Sequence, residues 1–100
     1  MAIVVGKNAQ DNWDIVRNAN QNDLWFHVDK TSSASVVLDS KYITASNIRD
    51  AANLCKQNSK FRDMNRVKVV YCPVRNIHFG NSVGEFIIKS KRRCRVIVLH

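Results

Sequence analysis

Glutamate and proline occur once each, at Glu85 and Pro73, and glycine only three times in 100 residues. So little glycine and proline excludes a collagen-like or low-complexity chain. With 45% hydrophobic residues the composition is that of a chain that folds on its own and not of a disordered one. No apolar run approaches the roughly 20 residues that cross a bilayer, so no membrane span is expected. Met1 to Gly6 has no basic segment ahead of an apolar one, so no secretory leader is expected and the chain is assigned to the cytoplasm. The three cysteines, Cys55, Cys72 and Cys94, are odd in number and widely spaced, which argues for reduced thiols and against a disulfide framework. None stands at ligand spacing to another or to His27, His78 or His100, so no metal and no cofactor are expected. The length suits one domain over residues 1–100.

What the chain has in excess is positive charge. Sixteen Lys and Arg face eight Asp and Glu, a formal net charge of +8. The excess lies in the second half: residues 1–55 hold five basic and six acidic side chains, whereas residues 56–100 hold eleven and two. A cationic excess on so small a surface attracts polyanions, with affinity that falls as salt rises. Nucleic acid is therefore the leading partner. A merely solubilising basic face is the plainer reading. An acidic membrane surface fits less well, because no basic amphipathic helix or lipidation site is present.

The pattern of apolar residues predicts an α+β fold. Ala2 to Val5 reads as a strand ending at Gly6. Asn8 to Ala19 reads as a helix, with Ala9, Trp13 and Val16 at helical spacing and Asp11 and Asp14 near its start. Leu24 to Val28 alternates as a strand, with Leu24, Phe26 and Val28 on one face and Trp25, His27 and Asp29 on the other. Ser35 to Leu38 completes a hairpin with it. Ala45 to about Ser59 keeps a helical stripe through Ile48, Ala51, Ala52 and Cys55. Thr44 is its expected N-cap, and Ile43 and Ile48 occupy the staple positions. Val67 to Tyr71, Glu85 to Lys89 and Arg93 to Leu99 read as further strands, with Asn76 to Gly84 as a loop. The expected architecture is a single small domain, a mixed β-sheet packed with two helices.

The candidate chemistry is sparse. His27 lies near Asp29, Ser32 and Ser33, but no nucleophile elbow accompanies them, and a shared strand face does not put a base between nucleophile and acid. An enzyme is not expected. The turn Gly6, Lys7, Asn8 before a helix suits a phosphate, or equally a strand-to-helix turn in which Gly6 supplies backbone freedom and Asn8 caps the helix. Trp25 and His27 suit base stacking or packing beneath a helix, and burial is the expectation for Trp25. Two basic groups remain, Lys60, Arg62, Arg66 and Lys68, then Lys89, Lys91, Arg92, Arg93 and Arg95. Arg93 and Arg95 are expected on the solvent side of the last strand, opposite Cys94, Val96 and Val98. Such a stripe follows a phosphate backbone without reading sequence. For Lys91 to Arg93, a charged hairpin tip that discourages aggregation is the plainer reading.

The string Asp23-Leu24-Trp25-Phe26-His27-Val28-Asp29-Lys30, followed by Ser32-Ser33-Ala34, resembles the NFACT-R domain family. That domain occurs in ribosome-associated quality-control factors and in a coiled-coil domain-containing protein. Val5-Gly6-Lys7-Asn8-Ala9, Asn12, Val69-Val70-Tyr71-Cys72-Pro73, Arg75-Asn76 and Val83-Gly84 extend the likeness along most of the chain. The resemblance implies a nucleic-acid-binding α+β module, with Gly6, Lys7, Asn8, Asn12, Asp23, Trp25, His27 and Ser33 as motif positions. Ser35 departs from it, since the family usually has a histidine there. No peptide-tailing activity is carried over.

Charge and resemblance together give an expected non-catalytic RNA-binding module, acting on tRNA or ribosomal RNA in translation or ribosome-associated quality control. Its expected contacts are Lys7, Asn8, Trp25, His27, Lys30, Ser33, Arg62, Arg66, Arg75, Lys91, Arg92, Arg93 and Arg95, on one continuous surface drawn mainly from residues 60–95. DNA binding, or docking on ribosomal, quality-control or other proteins, is the alternative.

Overall fold

Two strand–helix–strand crossovers interleave to build the sheet. The computed structural model describes residues 2–100. In chain order its elements are β1 (Ile3–Val5), α1 (Ala9–Arg17), β2 (Leu24–Val28), β3 (Val36–Leu38), α2 (Ala45–Gln57), β4 (Val67–Pro73), β5 (Ile77–Phe79), β6 (Phe86–Ile88) and β7 (Arg95–Leu99). Single 3₁₀ turns lie at Ser40–Tyr42, Val74–Asn76 and Lys91–Arg93. The main sheet has the order β1-β3-β2-β4-β7, and β5 and β6 form a separate hairpin.

The α+β class with two helices is as expected, but the mixed sheet is not: every named pairing is antiparallel. The reason is the interleaving. Helix α1 joins β1 to β2 with β3 between them, and α2 joins β3 to β4 with β2 between them, so no two parallel strands become neighbours. Both crossovers step the same way across the sheet from strands of opposite direction, and the right-handed rule then sends the helices to opposite faces. The packing agrees. Ala51, Ala52 and Cys55 of α2 are buried with Phe26, Val28, Val36, Leu38 and Val69. Val16 of α1 packs with Trp25, Val37 and Cys72 on the other face. The alternation read from β2 is thus the division between two cores.

Local chemistry fixes the helix ends. Asn8 caps α1 by accepting from the Asp11 N–H, and Thr44 caps α2 by accepting from the Asn47 N–H. Strand β4 runs two residues past Tyr71. The Asp29 N–H donates to the Lys68 carbonyl and the Val74 N–H to the Asp23 carbonyl, so even-numbered residues of β4 bond to β2 and odd-numbered ones face β7. Pro73 is odd-numbered and lies beyond the last β7 partner, Arg95 opposite Tyr71. Its missing N–H therefore costs no ladder bond.

Three other expectations are corrected. Asn76–Gly84 contains a strand, β5, because Ile77 and Phe79 pair with Ile88 and Phe86. That hairpin lies across α1, with Trp13 edge-on to Phe79 at 5.5 Å and Phe86 tilted against Trp25 at 5.4 Å. Arg93 is not on a strand with Arg95 but ends the last 3₁₀ turn. In β7 the inward side chains are Ile97 and Leu99, packed on the α2 core, while Val96 is 53% exposed and Val98 37%.

A buried polar knot joins the first three strands to α1. Ser35, fully buried, receives the Trp25 indole N–H on its Oγ at 3.0 Å and donates its own N–H to Asn12 Oδ1 at 3.0 Å. Its carbonyl accepts from the Gly6 N–H at 2.9 Å. Gly6 is required here by close approach, not by backbone freedom: a Cβ would overlap Asn12 Oδ1. Asp23 forms the equivalent knot at the other end, its carboxylate accepting from the N–H groups of Asn20 and Ser40. Replacing Ser35 with alanine strands the buried indole N–H. Urea denaturation of Ser35→Ala is therefore expected to show a loss of about 1–3 kcal/mol, and an unchanged midpoint would refute the knot.

Candidate nucleic-acid interface

The sheet has two ends, and the basic residues divide between them. At the upper end β1 and β2 finish and β4 begins. Here stand the start of α1, the β2–β3 turn (residues 29–35), the close of α2 and the loop 58–66. At the lower end lie the 3₁₀ turns, the start of α2 and the start of β7. Arg66 precedes the top of β4, whereas Arg95 pairs with Tyr71. Five strand residues at about 3.3 Å each separate the two levels by roughly 17 Å. The single surface expected from residues 60–95 is therefore two: an antiparallel strand of this length carries its two flanks to opposite ends.

The upper end gathers Lys7, Asn8, Lys30, Ser33, Arg62 and Arg66. Three grooves run across it and share residues. The first is lined by Gly6, Lys7, Asn8, Ala34 and Asn58. The second passes Ser32, Ser33, Asn58, Ser59, Lys60 and Arg62. The third continues from Ser32 through Lys30, Asp29 and His27 beneath the β5–β6 hairpin. What closes the first two into one track is a bridge invisible in sequence. Ser33 pairs with Ser59, and the Ala34 N–H donates to the Asn58 carbonyl at 3.1 Å. Asn58 and Ser59 were not singled out from sequence, since nothing local signals that contact. Lys30 and Arg66 both hold left-handed backbone, at φ 62° and 59°.

Seven basic side chains belong to this end, Lys7, Lys30, Lys56, Lys60, Arg62, Arg66 and Lys68, against Asp11, Asp29, Asp63 and Glu85. Of these only Arg62 forms an ion pair among the described residues, with Asp63 at 3.8 Å. Arg62 is 69% exposed there, and such a surface pair contributes little. Lys56 donates to the Arg62 carbonyl at 3.0 Å, and the other cations are exposed to solvent. The start of α1 itself is not an open anion site. Asp11 accepts from the Lys7 N–H at 2.8 Å and Asn8 from the Asp11 N–H at 2.8 Å, so the helix caps itself, and Lys7 contributes its ammonium.

Trp25 is not a stacking platform. It is 3% exposed, bonded to Ser35 and stacked with His27 at 5.5 Å, so it supports the groove from below. Ser33 is likewise occupied: its Oγ accepts from the Val28 N–H at 3.1 Å and donates to the Ala34 carbonyl at 3.0 Å. His27 pairs Nδ1 with the Val28 carbonyl at 2.8 Å, and Nε2 makes no hydrogen bond among the described residues. Nothing here sets a serine against the imidazole.

The lower end holds Arg75, Lys91, Arg92, Arg93 and Arg95. Arg75 donates to Asn22 Oδ1. Arg75, Arg93 and Arg95 rim a largely aliphatic groove of Leu24, Ile43, Ile48, Tyr71 and Pro73. The staple residues Ile43 and Ile48 thus form part of a surface. Asn76 fixes this end, exchanging hydrogen bonds with the Ser90 N–H and carbonyl.

Burial holds the His27 imidazole below its ordinary value of 6.5, against the opposing pull of the Val28 carbonyl and Asp29. The unfolded chain therefore takes up a proton there before the folded one does. Stability from this group is complete above about pH 6.5 and is lost as pH falls below it. Denaturation midpoints measured from pH 7.5 down to 5 are expected to fall, and His27→Asn is expected to flatten that slope. A slope unchanged by the substitution would place the titration elsewhere.

Comparison with known proteins gives the family and the fold. The family model described as "NFACT protein RNA binding domain" matches residues 1–90. Coiled-coil domain-containing protein 25 from Bos taurus and from Mus musculus is 39% identical over 82 residues, 75% of this chain and 39% of each relative. The Danio rerio protein is 38% identical over the same length. The chain thus spans about two fifths of the curated relatives it matches. Among solved structures, the C-terminal part of the fibronectin/fibrinogen-binding protein from Streptococcus suis superposes with a TM-score of 0.86 and 26% identity. That match covers 97% of this chain and 39% of the other. With a shared fold and a family match over nine tenths of its length, the chain belongs to the NFACT RNA-binding domain family.

Proposed function

We propose that this domain binds RNA at the upper end of the sheet, holding the phosphate backbone of tRNA or ribosomal RNA in translation or ribosome-associated quality control. Membership of an RNA-binding family supports RNA as the ligand. The observation that carries the location is the track through Asn58 and Ser32, which strings Lys7, Lys60, Arg62 and Lys30 along adjoining grooves. Lysine and arginine supply charge for phosphates, while the Ser32 hydroxyl supplies a hydrogen bond for phosphate or ribose; the Asn58 amide N–H is held on the Leu54 carbonyl at 2.8 Å. His27, neutral at pH 7 by burial, offers Nε2 as an acceptor for a ribose hydroxyl or a base edge. No step of this reading is chemical, and a binding module is the role it describes.

The lower arginines serve at most as a second, distant phosphate contact in this reading. The double variant Lys60→Glu/Arg62→Glu is expected to weaken binding to tRNA by tenfold or more at 0.1 M salt. It should also lower the slope of log affinity against log salt by about 2. The matched variant Arg93→Glu/Arg95→Glu is expected to cost less than threefold. Filter binding over a salt series measures both, and the opposite ranking moves the interface to the lower end. A competition series with ribosomal RNA, duplex DNA and single-stranded DNA at equal charge separates the ligands. Equal competition by DNA would overturn the preference for RNA.

A further inference from the structure

Just past the end of the β4–β7 ladder, Cys72 and Cys94 lie beside one another in the α1-side core. Val70 pairs with Val96 and Tyr71 with Arg95, the last pair of the ladder, and extending that register by one residue brings Cys72 level with Cys94. The kind of pair follows from the parity of β4. Its even-numbered residues direct their backbone groups to β2, as the Asp29–Lys68 and Val74–Asp23 bonds show. Cys72 is even-numbered, so it shares no backbone hydrogen bond with Cys94, whose N–H donates instead to the Lys91 carbonyl at 3.1 Å. Such non-hydrogen-bonded positions bring Cα atoms to about 4.5 Å, with side chains closer than at bonded positions. That lies within the roughly 4.4–6.8 Å over which a disulfide spans two Cα atoms.

The side chains agree with the backbone. Both cysteines are free thiols, Cys72 buried and Cys94 partly exposed. Burial, followed by the nearness of Cys94, pushes the Cys72 thiol up to about 12 against a pull from Asn76. Cys94 Sγ accepts from Asn76 Nδ2 at 3.6 Å and donates to the Ser90 carbonyl at 3.8 Å. Cys55 is different. It lies fully buried on the inner face of α2, donates to the Ala34 carbonyl at 3.4 Å and has Ser33 as its neighbour. The molecule thus contains one pair of opposed thiols and one isolated thiol as its own control.

We propose that Cys72 and Cys94 are an oxidisable dithiol that a hydroperoxide converts to an intrachain disulfide between β4 and β7. Cys94, the accessible partner, attacks the peroxide: the O–O bond breaks, one oxygen stays as the sulfenic acid, and the other leaves as water or alcohol. The Cys72 sulfur then attacks the Cys94 sulfur, and its proton leaves with the displaced hydroxyl as water. Two thiols lose two electrons and two protons, and the peroxide takes them up. The product clamps the edge strand β7 to β4 beside Arg93 and Arg95.

Intact-mass measurement and peptide mapping of the whole chain after millimolar hydrogen peroxide test this directly. Denatured and alkylated, the reduced protein is expected to carry three labels. The oxidised protein should carry one, on Cys55, with the mass of two hydrogens lost and a linked peptide pair containing Cys72 and Cys94. Cys94→Ser treated in the same way is expected to keep both of its remaining labels. The melting temperature of the oxidised wild-type protein is expected to rise by roughly 10 °C and to fall back on adding dithiothreitol. Added oxygens on Cys94 without a link, a link through Cys55 or between chains, or a disulfide form that melts below the reduced one would each overturn the proposal.

Discussion

Everything at the upper end depends on the fully buried hydroxyl and backbone of Ser35. Through Asn12, Gly6 and Trp25 it holds the entry to α1, the end of β1, the start of β3 and the middle of β2 in one arrangement. Buried polar groups that satisfy one another in this way allow few alternatives, because any shift leaves a donor or acceptor without a partner in a medium of low dielectric. The β2–β3 turn inherits its position from that knot. So do Lys7 and Lys30, which line the first and third grooves.

Much of this was legible in the sequence wherever the signal is local. Asn8 and Thr44 mark both helix starts, and the alternation of Leu24 to Val28 sorts side chains between two cores. Those signals report the backbone's own hydrogen bonds and periodicity. Strand β5 was not legible, because Ile77, His78 and Phe79 stand among Gly80, Asn81, Ser82 and Gly84. What holds them extended is tertiary, the rings of Trp13 and Phe86. Val96 and Val98 misled for the opposite reason. Alternation in β7 shows that two faces exist but not which one a helix covers, and α2 covers the Ile97 face.

The charge distribution gives the same lesson at larger scale. Eleven basic residues in the second half foretell a polyanion partner, and the family match agrees. Their arrangement follows from topology alone. An extended β4 separates Arg62 and Arg66 from Arg75 and Arg95, while the crossovers bring Lys7 and Lys30 from the first half to the side of Lys60. The opposition of Cys72 and Cys94 has the same origin, since a spacing of that length carries no meaning until two strands are laid in register.

The left-handed backbone at Lys30 and Arg66 bears on how such a surface engages a flexible ligand. Branched and long side chains disfavour that conformation, by about 1–2 kcal/mol, so it persists only where the surrounding structure determines it. The two cations therefore leave the main chain at anchored positions. In the proposed reading less main-chain disorder is then surrendered when RNA docks, so part of the affinity would reside in the shape of two turns.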